Sequence, residues 1–136
     1  MSALTIGKLA KQVDLSVETL RYYERLGLIA PQQRSEAGYR LYRPDAVRRL
    51  RFIRRAQALG FSLGEVAELL ALSGNPDASA GEVKALTQAK IADIEQRIRD
   101  LERMRDALSG LAEHCPGHRA TTVDCPILGA LNGEDQ

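Results

Sequence analysis

A chain of 136 residues holds one ordinary domain, or one small domain with an appended element. Hydrophobic residues at 44% and charged residues at 27% exclude a disordered chain, and 4% aromatics with no Trp leave Leu, Ile, Val and Ala to build a core, which favours helices. The net charge of +1 hides an asymmetry: residues 1–60 carry twelve Lys/Arg against five Asp/Glu (+7), residues 61–136 seven against thirteen (−6), so the N-terminal half is suited to a polyanion unless it is only a solvated basic face.

Thr5 to Val13 reads as a short helix, with Ile6, Leu9, Ala10 and Val13 on one face. Asp14-Leu15-Ser16 interrupts it. Ser16 then caps a second helix from Val17 to about Leu26, which buries Val17, Leu20 and Tyr23 and stops at Gly27. Two short helices across a tight turn form a helix-turn-helix, whose second helix enters the major groove. Ser16, Thr19, Arg21 and Tyr22 are the candidate DNA contacts there. Helix pairs are common, so this pattern alone specifies little. Leu28 to Tyr42 follows, with Pro31, Gly38 and Tyr39/Leu41 alternating with Arg40, and reads as a two-stranded wing with its loop at residues 35–38. Its Arg34, Tyr39, Arg40 and Tyr42, with Arg43, are the residue types that grip phosphates; a plain hairpin covering the helices is the alternative.

A third, arginine-rich helix runs from Pro44-Asp45 to about Leu59, and Ser62 with Glu65 forms a capping box for a fourth over Leu63 to Leu72. Residues 1–72 thus form a DNA-binding domain and residues 73–81 a linker loop. The longest helical pattern covers residues 80–113, with Val83, Leu86, Ile91, Ile94, Ile98, Leu101, Met104, Leu108 and Leu111 at steps of mostly three and four. Some thirty residues make a helix of roughly 45–50 Å. That stripe is too long for a four-helix head to cover, so a coiled coil with a second copy is expected, a helix folded back on its own domain being the alternative.

Residues 114–136 contain the only cysteines, Cys115 and Cys125, separated by nine residues that include Gly117. No stretch has the length of a membrane span and the start lacks a signal-like region, so a cytoplasmic chain without membrane partners is expected. Thiols stay reduced there, and the pair reads as soft-metal ligands or redox groups, or else as two unrelated buried cysteines.

The runs TIGKLAKQVDLSVETLRYYERLGLIAP and RSEAGYRLYRPDAVRRLRFIRRAQALGFSL resemble the DNA-binding half of the MerR family, through the LRYYE-x-LGLI stretch, the GYR-x-Y wing and the helix ending in LGFSL. The resemblance covers essentially the whole chain. It implies a mainly α fold: a winged helix-turn-helix, a long antiparallel coiled-coil dimerisation helix and a short C-terminal metal-binding loop. It also implies a homodimer on double-stranded promoter DNA that activates a metal-resistance promoter by distorting the operator for RNA polymerase. The regulator would not be an enzyme.

Cys115 and Cys125 are the implied metal ligands. In divalent sensors of this family a third cysteine opens the dimerisation helix, where this chain has Ala80 between Ser79 and Gly81. Its absence implies a monovalent ion, Cu(I) first, with Ag(I) and Au(I) as mimics, as in the copper-type members. The nine-residue spacing and His118 point instead towards Zn(II) or another divalent ion, Cd(II), Pb(II) or Hg(II), with His118 as a further ligand. A redox- or drug-sensing regulator would need more cysteines or a larger ligand domain, and a thiol enzyme a C-x-x-C pair or an activating base.

Overall fold

A computed structural model describes residues 3–133 apart from 32, 35, 39 and 120, with residues 33, 34, 40 and 119 described in backbone only. The chain forms two compact units, residues 1–86 and 87–136.

In the first unit β1 (Leu4–Thr5) leads into α1 (Ile6–Val13), where Thr5 accepts a capping hydrogen bond from the Lys8 amide. Asp14 ends α1 in the left-handed conformation at φ 56°, and the Leu15 amide closes back onto the Ala10 carbonyl. This six-to-one closure is the Schellman arrangement. It turns the chain within three residues into the Ser16 cap of α2 (Val17–Arg25). Gly27 ends the α2 turn in the same way, with φ 79° and the Leu28 amide on the Tyr23 carbonyl. Both turns were expected as stops, and both leave the next segment pointing back across the preceding helix.

The wing comprises β2 (Gln33–Arg34) and β3 (Arg40–Tyr42), antiparallel, with Arg34 opposite Arg40. The wing is two-stranded, as expected, and β1 extends the sheet along the other edge of β3, pairing Leu4 with Tyr42 and Thr5 with Leu41, so the sheet order is β1-β3-β2. α3 (Asp45–Ala58) and α4 (Leu63–Ser73) complete the unit, and Ser62 and Glu65 form the expected reciprocal capping box. Leu9, Leu20, Tyr42, Leu50, Ile53 and Val66 are fully buried at the centre of a core drawn from all four helices and the sheet. Side chains of α2 and α3 tie it at polar points: the Tyr23 hydroxyl donates to Gln57 Oε1 at 3.0 Å, and Arg54 Nη1 donates to the Val13 carbonyl at 2.7 Å.

α5 (Ala80–His114) spans 35 residues and starts where Ser79 and Glu82 exchange capping hydrogen bonds. In the second unit its apolar stripe stays open: Ile91, Ile98, Leu101, Met104 and Leu108 are each at least half exposed. Lys90 is the exception, 7% exposed, with Nζ 3.3 Å from Asp93, which also meets Arg97 at 3.3 Å. Two 3-10 turns (Gly117–Arg119 and Thr122–Asp124) lead to α6 (Pro126–Leu131). No helix among the described residues is long and apolar enough to cross a membrane.

Candidate DNA interface and metal site

α2 is amphipathic by simple periodicity. Leu20 and Tyr23 face the core, while Arg21, Tyr22 and Arg25 are exposed with Glu18 one turn earlier. Arg21 and Tyr22 therefore stand where the sequence expects them. Tyr22 is 46% exposed and carries the Arg25 guanidinium 5.7 Å from its ring centroid. A cation held over an aromatic face is a prearranged phosphate-gripping group. Arg25 was not among the expected contacts; its i+3 spacing from Tyr22 was the available signal.

Ser16 and Thr19 sit at the start of α2, but their polar atoms are engaged with each other. Ser16 Oγ accepts from the Thr19 amide at 3.0 Å and lies 2.9 Å from Thr19 Oγ1. Exposed Ser16 thus has capping as its first task. On the wing, Tyr39 lies outside the described residues, as do the side chains of Arg34 and Arg40. Tyr42 requires a correction. Expected among the phosphate contacts, it is fully buried, and its hydroxyl donates to the Glu24 carboxylate. The ring joins the core formed with α1–α4, with Leu4 opposite it in the ladder, while Leu41 stays half-buried.

In the second unit Cys115 follows the last turn of α5 and Cys125 caps α6. Gly117, at φ 79°, lets the chain reverse between them. The two thiols are half-buried, and the Cys115 side chain is among the groups that favour the Cys125 thiolate. The Cys125 thiol is held below its ordinary pKa, chiefly by the Leu128 amide and then the Ile127 amide and Cys115, with burial opposing them. Both amides belong to the start of α6. Pro126 at the first helical position was the sequence signal for that start.

Two adjacent sulfurs, one of them biased towards thiolate, form a donor set that fits a soft metal ion. His114 Nδ1 lies 2.7 Å from the Gly110 carbonyl and so is engaged on its own helix, while His118 is exposed on the first 3-10 turn. Among the described residues no three His, Cys, Asp or Glu side chains are grouped to hold an ion.

Residues 4–73 match the profile of the MerR HTH family regulatory proteins, and residues 47–111 that of the MerR DNA-binding region. The HTH-type transcriptional regulator CueR of Yersinia pestis is 42% identical over 96% of this chain and 92% of that protein. The chain belongs to the MerR family. Within it, the mercuric resistance operon regulatory protein of Bacillus cereus is 43% identical over 93% of this chain and 95% of its own length. Among solved structures, PbrR691 of Ralstonia metallidurans CH34 in complex with lead(II) superimposes with a TM-score of 0.83 at 38% identity, covering 94% of this chain and 98% of that one. This MerR-family chain is therefore a metal-responsive, DNA-binding transcription regulator and not an enzyme. The helix-turn-helix, wing and long helix expected from the sequence are the elements of that fold.

Proposed function

We propose that two copies of this chain join through α5 and bind promoter DNA, with α2 in the major groove and the wing on the backbone. Cu(I), held by Cys115 and Cys125, is the activating signal. The reversal of the chain at Gly117 between two half-buried thiols is the single observation that carries the metal assignment. Ala80 at the start of α5 supports a monovalent ion, because it offers no third sulfur. Two thiolates suffice for an ion that accepts two soft ligands, whereas divalent ions want three or four. Similarity to copper-type regulators such as that of Yersinia pestis points the same way.

The apolar stripe supports the dimer. Each Leu or Ile covered there contributes about 1.5–3 kcal/mol, and five of its members stand open to solvent. On DNA, Arg21, Tyr22 and Arg25 would face the groove, with Ser16 and Thr19 at its edge and Arg34, Tyr39 and Arg40 along the wing. A bound ion would tie the end of α5 to the start of α6, giving RNA polymerase at the promoter a regulator of altered shape on distorted DNA. The thiols demand a reducing compartment, and the cytoplasm supplies one.

A second reading keeps the regulator and changes the ion. The likeness to PbrR691 with lead(II) and to the mercuric regulator favours a divalent metal, with His118 completing the ligand set. Titration of the reduced protein against Cu(I), Zn(II), Pb(II) and Hg(II), read as transcription from its own promoter, decides between them. Activation at the lowest free concentration by Cu(I) is the expected outcome, and prior activation by any divalent ion would replace it.

A further inference from the structure

Tyr42 ends strand β3 with its ring fully buried, opposite Leu4 of β1. A phenol there gains nothing over Phe in packing, and its buried hydroxyl is costly unless bonded. Its acceptor is the Glu24 carboxylate, eighteen residues earlier on the last turn of α2. Glu24 lies one turn beyond buried Leu20 and is itself half-buried, at the border between the core face of α2 and its open face.

A hydroxyl-to-carboxylate bond is directional and charge-assisted. Joined at that border, it resists rotation of α2 about its own axis, adding a restraint towards the wing to the one towards α3 that the Tyr23–Gln57 bond supplies. Rotation would carry Arg21, Tyr22 and Arg25 with it. The same corner is held from the other side, where Arg49 Nε of α3 donates to the Leu28 carbonyl just after the Gly27 turn. The helix and the wing strand are thus linked directly at one point, and their connecting segment is pinned at another.

We propose that Tyr42 and Glu24 are positioning residues for DNA recognition: their hydrogen bond sets α2 against the wing, so that both engage one duplex together. This deepens the DNA-binding role argued above and rests on it.

The test uses the full-length protein and the best duplex that the wild type selects from a random-sequence pool. Binding is measured across a salt series, with thermal melting alongside. Tyr42→Phe keeps the ring, so it should melt within a few degrees of wild type yet bind roughly tenfold more weakly. Its slope of log affinity against log salt should fall by about one for each phosphate the variant no longer neutralises. Glu24→Leu should weaken binding at least as much. Glu24→Gln still offers an accepting oxygen, and should retain affinity within about threefold of wild type. The Tyr42→Phe/Glu24→Leu double variant should lose less than the sum of the two single losses, because both remove the bond they share.

Wild-type affinity and slope in Tyr42→Phe would overturn the inference, as would additive losses in the double variant or a Glu24→Gln as weak as Glu24→Leu. A wild type that shows no salt-dependent binding would overturn the DNA-binding role and the inference with it, which separates the two failures.

Discussion

The Cys125 sulfur, a proposed metal ligand, is set by its immediate neighbours. The amides of Leu128 and Ile127 and the neighbouring Cys115 favour its anion, so its pKa is lowered and the thiolate persists to lower pH than in an unfolded chain. Alkylation of Cys125 by iodoacetamide, followed by peptide mass spectrometry, should reach half its maximal rate at a lower pH in the native protein than in urea. Coincident profiles would remove the bias. On the other unit Arg21 is exposed on α2 and one turn ahead of Arg25. Its replacement by Ala should cost about 1–3 kcal/mol in operator binding, read as a roughly 5- to 150-fold rise in Kd, with the melting temperature unchanged. An affinity equal to wild type would take Arg21 off the DNA.

Individual elements owe their ends to named residues. Asp14 is the described non-glycine residue with positive φ, and it supplies the sharp turn between α1 and α2. Asp tolerates that region and β-branched residues do not. Asp14→Val should therefore destabilise the folded chain by about 1–2 kcal/mol in urea titration, while Asp14→Gly should equal or slightly exceed wild type. Equal loss in both variants would mean that the Asp side chain, not the backbone, matters. The wing shows the opposite case, an element set by tertiary packing. β1 is two residues long, too short for any periodic signal, yet it pairs along the whole of its length with β3. Tyr42 was expected on the phosphate-facing side and is found in the core, because packing against the helices chooses the buried face of so short a strand.

For the whole molecule the central issue is the second copy. Leu101 is 61% exposed in the middle of the α5 stripe. Leu101→Asp should leave the helix-turn-helix unit folded but shift sedimentation from dimer to monomer and abolish operator binding, since each half-site alone binds weakly. A monomeric wild type would refute the coiled-coil assignment. Coupling between the two units is a separate matter: Cys115→Ser and Cys125→Ser should each end the metal response while operator binding without metal stays intact. A variant that still responded would remove that cysteine from the site.

The family resemblance, the helices with their caps at Ser16 and Ser62, and the cysteine pair were legible in the residues alone. They depend on neighbours three or four positions apart, or on a motif written contiguously, so linear order carries them. The proposed metal site was legible only as two thiols on one segment. Their placement across nine residues depends on the Gly117 reversal and on the start of α6. The same holds for the DNA-binding half, the feature most strongly marked by charge and motif. Sequence placed Arg21 and Tyr22 on its open face, because helical periodicity reports a face directly. Only the tertiary structure decided that Tyr42 turns inward to Glu24, because the face a short strand buries is chosen by the distant elements that pack against it.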